Sequence, residues 1–500
     1  MLQVKNSAIE TEVSCQNYKN HHPHNQNIPL SHIPASTPSP TMKSATALLT
    51  YLLPAVPACL LDHELHPALQ TEVFLQRRQN PPTNRTNANT VKIGTGDRFQ
   101  NGTITLRGVG NSKPTNFTTF FNLDEVHSAT RSLANSFRIE YFTLPYKTYE
   151  NRSMYGLKIP PWPGHAAGIP HREDDDKYTV LLTAGIHARE RGGPDYMLSF
   201  ISDLLWASAE KTGLAYAGLE GGVEFTYDEV RTAAAAGIVV IPATNPDGIA
   251  HDQENGNCWR KNRNPRSAKE GDPRSVGIDL NRNFASGWDV RRVAVADEGF
   301  ASYLNSSAEQ FHGTGPLSEP ESQNVEWVMG QMKDLAWHLD LHSFGGDVMY
   351  SWGHDTPQFS DPGMNLFNAS YDGKRGAVPD DKKKGWVYSE YTDEDELDIL
   401  TVVAARTAEK MSASTFRRYT GMPSVQLYST FGTVSAQARY RSLLDQSIKR
   451  ANGFTVEFGM ENSEALCPFY PKRESHEMSR VEVASGLMQF LLSAARFDSK

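Results

Sequence analysis

The sequence predicts an α/β fold, a β-sheet covered on both faces by helices, and two observations carry that expectation. Short apolar runs of buried-strand type recur along the chain, and stretches with a helical apolar period alternate with them. In chain order, FNLDEVHSATRSLANSF (121–137) reads as an amphipathic helix with Asp124 and Glu125 in its first turn. YTVLLTAGI (178–186) reads as a buried strand, PDYMLSFISDLLWASA (194–209) as a helix and GIVVIPAT (237–244) as a second buried strand. Further strands are expected at AWHLDLH (336–342), DVMYSW (347–352) and FTVEF (454–458), and a last helix at 477–495. The acidic run TDEDELD (392–398) reads as a solvated helix start or loop, and no internal repeat is present.

Composition narrows the class of partner. The chain has 500 residues, 39% of them apolar, enough for a sizeable core without staples. Its 49 Lys and Arg against 58 Asp and Glu argue against nucleic acid and against a polybasic membrane contact. No apolar run reaches the ~20 residues of a membrane span, apart from a proline-broken stretch near position 50. Four cysteines are too few for a disulfide scaffold.

The first quarter differs from the rest. Residues 1–41 are polar, without period, and read as a disordered tract or a spurious upstream extension, with His21, His22 and His24 solvated. Residues 42–58 read as a secretory signal: Met42-Lys43 opens a basic region, ATALLTYLL is apolar, and Val56-Pro57-Ala58 offers a cleavage site. Residues 59–114 form a polar leader or short propeptide containing Arg77-Arg78, and 115–500 reads as one large domain. Sequons at Asn84, Asn101, Asn116, Asn151, Asn305 and Asn368 fit a secreted product, extracellular, vacuolar or lysosomal.

The chemistry starts from His187-Ala-Arg-Glu190, directly after the strand 178–186. Short His-x-x-Glu spacing lets both side chains reach one ion, and a strand's carboxyl end is where α/β sheets place their sites. The second such pair, His251-x-x-Glu254, falls in a polar loop and reads as surface. A third donor is expected at His342, which ends HLDLH. His338 is excluded as its partner, because strand residues four apart lie ~13 Å from one another, and reads as a core residue or a support behind the ligands.

In order, GIHARE (185–190), NPDG (245–248), WRKNR (259–263), GIDLNRNF (277–284), DLHSF (340–344) and FTVEFG (454–459) resemble the zinc carboxypeptidases of the carboxypeptidase A type, over roughly 115–495. The resemblance implies a single large domain with a mixed, mostly parallel twisted sheet. It also implies one zinc ion on His187, Glu190 and His342, and peptide or protein C-termini as substrate. By the same resemblance Asp279 orients the first zinc histidine, Glu457 is the general base and Arg260 stabilises the developing oxyanion. Asn281 and Arg282 clamp the substrate carboxylate, Arg189 serves a further subsite, and Tyr428 covers the bound C-terminus. Cys258 and Cys467 flank these motifs and are candidates to pair.

The side-chain pocket is expected among Met349, Gly353, Thr455 and the loop after Tyr428, with uncharged Ser435 at its floor favouring apolar or aromatic C-terminal residues. A register shift in the long interval from Tyr428 to Glu457 would instead bring in Arg439 and favour acidic residues. Two positions depart from the family: Phe344 stands where Tyr is usual, and Arg191 where Trp is common. The long gap from Glu190 to His342 implies insertions around 207–236 and 285–310. The alternatives are a catalytically silent binding protein, or an amidohydrolase or deacylase, on the same fold. Oligomeric state is not readable.

Overall fold

The structure, a computed structural model, describes residues 85–110, 118–161, 177–217, 222–295, 298–376 and 388–498. The chain divides into Met1–Leu53, wholly outside the described residues, and Pro54–Lys500, which contains everything that follows. The expected signal segment, Arg77-Arg78, Asn84 and Asn116 also lie outside the described residues.

Helix α1 (Leu123–Phe137) begins at a capping box, in which Asn122 and Glu125 satisfy one another's backbone amides. The edge hairpin β1 (Glu140–Thr143) and β2 (Tyr155–Ile159) leads into β3 (Val180–Ala184), whose residues are all buried. Helix α2 (Gly193–Glu210), a small hairpin of β4 (Leu214–Ala217) and β5 (Gly222–Phe225), and α3 (Tyr227–Ala234) come next. This hairpin and helix make up most of the insertion expected at 207–236. The rest follows as β6 (Ile238–Ile241), α4 (Pro246–Asn255), α5 (Pro320–Gln331), β7 (Trp337–Ser343) and β8 (Asp347–Tyr350). A short pair, β9 (Pro357–Gln358) and β10 (Glu390–Tyr391), precedes α6 (Glu394–Thr415) and β11 (Thr420–Pro423). The last elements are α7 (Val434–Leu444), β12 (Asn452–Phe458) and α8 (Arg473–Asp498).

Eight strands form one sheet in the order β1-β2-β6-β3-β7-β12-β8-β11. Its centre, β6-β3-β7-β12, is parallel, while β8 runs against β12 and the β1-β2 hairpin runs against β6. The carboxyl ends of β3, β7 and β12 therefore open on one edge, and that edge carries the site. On one side of the site α7 seats tightly on the sheet. A Cβ on Gly453 would lie 1.9 Å from the Ser435 carbonyl oxygen, so only glycine permits that approach.

Two expectations need correction, and one stretch adds to the core: before 115, Val91, Phe99 and Leu106 belong to the main core, and Asn87 accepts hydrogen bonds from Leu466 and Cys467. Their apolar residues are spaced by turns, so no period announces them. His251 sits on α4, not in a loop, edge-on to Trp259. The acidic run does start a helix, but Glu396 within it is buried and paired bidentately with Arg439.

Candidate metal centre and its surroundings

After β3 the chain turns through Gly185, at φ +68°, and delivers His187 and Glu190 on adjacent turns, with the Ala188 amide held by the Arg260 carbonyl. His342 is the sixth residue of β7 and faces them. One donor atom from each of His187, Glu190 and His342 lies within 4.8 Å of the others, and all three side chains are buried. His187 Nδ1 is 2.7 Å from Glu190 Oε1, and His342 Nδ1 is 3.1 Å from His187 Nδ1 and 3.0 Å from Glu190 Oε2. Two imidazole nitrogens and a carboxylate converging on one buried point are the donor chemistry of a zinc ion with an open fourth position.

Each imidazole is backed on its far nitrogen. His187 Nε2 is 3.0 Å from Asp279 Oδ1, and His342 Nε2 is 2.7 Å from Asp340 Oδ2. Burial opposes the charge on Glu190 and Asp279, but the neighbouring side chains outweigh it. His187 and His342 hold Glu190 below the usual carboxylate range, and Arg260 with His187 does the same for Asp279.

Around this set the other expected residues fall into place unevenly. Arg260 donates from Nε and Nη2 to Asp279 Oδ2 at 3.0 and 2.9 Å, with Nη1 3.8 Å from Glu190. Asn281 donates its backbone N–H to Asp279 Oδ1, accepts from the Val434 amide at its side-chain oxygen and reaches within 3.3 Å of His342. Arg282 donates to the Tyr428 hydroxyl at 3.1 Å. Glu457, buried near the end of β12, stands in register with His342 on one side and Asp347 on the other. Arg189 is fully buried over the Phe469 ring at 4.3 Å, with Glu309 3.9 Å away.

In the expected pocket, Met349 pairs with Thr455 across the sheet and packs with Met422, Leu427 and Tyr428. Gly353 receives the Thr430 amide, and Ser435 is buried in the first turn of α7. Arg439, one turn further on, is committed to Glu396. The two departures from the family have local partners. Arg191 stacks on Tyr470 at 3.5 Å and donates to Asp252, and Phe344 packs on Phe469. Both lie beside the Cys258–Cys467 disulfide, the pairing for which the sequence offered candidates.

The sequence reading missed four neighbours: Asp340 behind His342, Asp347 opposite Glu457, Glu309 near Arg189 and Tyr303 beside Arg282. Asp340 had a signal, since it shares a strand face with His342 two residues on. Burial pushes the Asp347 carboxyl up to about 6.

A family model described as zinc carboxypeptidase matches residues 131–477. The chain belongs to the zinc carboxypeptidases. This zinc carboxypeptidase is 27% identical to carboxypeptidase O of Homo sapiens over 208 residues, 41% of the chain and 46% of that protein. It is 26% identical to carboxypeptidase B of Astacus astacus, over 47% of the chain and 65% of that protein. It is 23% identical to the inactive metallocarboxypeptidase ECM14 of Saccharomyces cerevisiae, over 45% of the chain and 44% of that protein. The matches thus span less than two thirds of each of these relatives. Thrombin activatable fibrinolysis inhibitor (TAFI) and carboxypeptidase A of Helicoverpa armigera share the fold. Each has a TM-score of 0.51 at 20% identity, covering 76% of this chain and 75% of the other. No described helix is long and apolar enough to cross a membrane.

Proposed function

We propose that this zinc carboxypeptidase is catalytically active and removes residues one at a time from peptide C-termini, preferring apolar or aromatic ones. The observation that carries the reading is Glu457, a buried carboxylate on a strand end in register with the metal histidine His342. A carboxylate there is costly unless it is paired or serves the chemistry. His187, Glu190 and His342 would hold the zinc, which would supply Lewis acidity at the scissile carbonyl. Glu457 would act as the general base, taking a proton from the attacking water and passing it to the leaving amine. Arg260, held by Asp279, presents Nη1 beside Glu190, where charge develops on the carbonyl oxygen. The Arg282 fork binds the terminal carboxylate, Asn281 flanks it, and Tyr428 closes over it. Arg189 lines a more distant subsite.

An uncharged pocket supports the apolar preference: Met349, Thr455 and Ser435 bring no charge, and Arg439 nearby is paired with Glu396. The disulfide, together with exposed sequons at Asn101, Asn151 and Asn305, supports passage through an oxidising secretory route, with the mature chain starting after the 42–58 signal. A silent binding protein is the second reading, favoured by the relatives named inactive.

Digestion of peptides ending in Phe, Lys or Glu, followed by mass spectrometry, separates these readings. Stepwise loss of Phe, with Glu457→Gln keeping its zinc but falling ~10²–10⁴-fold in rate, is expected. No cleavage by the zinc-loaded protein would favour the silent reading, and a preference for Glu would overturn the neutral pocket.

A further inference from the structure

Behind His342 lies a line of buried side chains that the reaction itself does not use. His338, Asp340 and His342 alternate along β7 and so share one face of the sheet. On the neighbouring parallel strand, Thr183 stands in register with Asp340. All four are at most 1% exposed. His338 Nε2 is 3.0 Å from Thr183 Oγ1, Thr183 Oγ1 is 2.6 Å from Asp340 Oδ1, and Asp340 Oδ2 is 2.7 Å from His342 Nε2.

We propose that His338, Thr183 and Asp340 form a hydrogen-bond chain of fixed direction that holds His342 as an Nδ1 donor toward the metal, with Asp340 as the positioning residue. The direction follows from donor and acceptor capacity. An ionised Asp340 accepts only, so the single Thr183 hydroxyl proton points at its Oδ1. The Thr183 oxygen then accepts from His338, which must carry its proton on Nε2. The bare Nδ1 this leaves on His338 is the atom that has no hydrogen-bond partner, and burial keeps the ring neutral. The other oxygen, Oδ2, accepts from Nε2–H of His342, so Nδ1 of that ring keeps its lone pair. Nδ1 is the atom that faces His187 and Glu190. Asn281 Nδ2 also approaches His342 Nε2, at 3.3 Å, but both are donors, which leaves Asp340 as the acceptor.

The two metal histidines are therefore supported unequally. Asp279, behind His187, divides its charge with the Arg260 guanidinium. Asp340 has no guanidinium or ammonium partner among the described residues, so its charge is not divided with a fixed cation. A carboxylate that orients a ligating imidazole and raises its basicity is worth ~10–100-fold in metal affinity.

The test is zinc binding by the full-length protein, stripped of metal and titrated against a fluorescent chelator, with the Co²⁺ absorption spectrum as a second readout. Asp340→Ala is expected to weaken zinc by ~10–100-fold, and Asp340→Asn, which keeps an acceptor without the charge, by less. Thr183→Val, which removes the relay but not the volume, is expected to cost roughly fivefold, the worth of one ordinary hydrogen bond. Thr183→Ser restores the hydroxyl and should restore wild-type affinity. Co²⁺ bands should shift in the Asn and Val variants, which a merely structural role would not produce. Wild-type zinc affinity and unchanged Co²⁺ spectra in both isosteric variants would overturn the proposal, even if Asp340→Ala fails to fold. The inference rests on the metal set and not on turnover, so a chain that binds zinc without cleaving peptides leaves this outcome readable.

Discussion

Two groups of buried carboxylates lie on either side of the segment Arg260–Asn264, and they respond to burial in opposite ways. On the metal side, Asp279 receives two guanidinium bonds from Arg260 and sits against His187, and its carboxyl is held well below the usual range. On the other side, Glu319 and Glu321 receive the side-chain amides of Asn262 and Asn264, with Ser318 completing the set. Burial, and then the charge of Glu319, pushes Glu321 up to about 8. All three carboxylates are fully buried. The difference lies in the partner: a full positive charge offsets the lost hydration of a carboxylate, while amide dipoles do so only in part. The metal side stays ionised, as a ligand support must, and the other side keeps a proton.

The largest break in that comparison is Asp279→Ala. It strips Arg260 of its bidentate partner inside the protein and leaves His187 without its support. A loss toward the upper end of ~3–5 kcal/mol in urea unfolding is expected, from breaking a buried pair. A drop of ~10–100-fold in zinc affinity should accompany it. Stability unchanged within the error of the titration would show that this pairing does not hold the metal side together.

How much of this was legible follows from where the residues sit. His187, His342 and Glu457 are polar residues at the ends of continuous apolar runs, and a buried parallel sheet makes such interruptions conspicuous. Asp340 sits in the same run, but a polar residue inside a strand does not say which neighbour it serves. The register with Thr183 was needed for that. Tyr303 and Glu309 come from the insertion expected at 285–310, which has no period, and only the fold carries them to Arg282 and Arg189. The edge strands β1, β2 and β11 span four or five residues with mixed exposure, too short to announce themselves. The Cys258–Cys467 bridge closes a separation of 209 residues, which spacing alone does not fix.

A second cation-matched pair, away from the metal, sharpens the contrast. Arg439 on α7 and Glu396 on α6 are both buried and joined by two bonds. Removing one partner, as in Glu396→Gln, should cost about 3 kcal/mol, because a guanidinium is left behind in the protein. Replacing both with apolar residues, as in Arg439→Met with Glu396→Leu, should recover most of that loss. Calorimetry of the single and double variants measures it. A double variant no more stable than the single would mean that the pair is worth more than its charges. Peptide preference offers a parallel reading, because freeing Arg439 in Glu396→Gln should raise cleavage of peptides ending in Glu.

The smallest effect is expected at Glu321, and its sign depends on pH. The free carboxyl titrates near 4.5, whereas the buried one holds its proton to about 8. Below about 4.5 both folded and unfolded chains are protonated, and the stabilising effect of the neutral carboxyl is complete. Between these values the unfolded chain has released the proton that the folded chain keeps, so stability falls as pH rises and levels off above about 8. Glu321→Gln removes this titration while keeping the shape of the side chain and an oxygen to accept from Asn262. The variant should match the parent at pH 5 within a few tenths of a kcal/mol, and exceed it by roughly 1–3 kcal/mol at pH 8. Melting curves at the two pH values decide the matter. An advantage of the same size at both would mean that Glu321 is not the group holding the proton, and would move the proton on this side of Arg260–Asn264 onto Glu319.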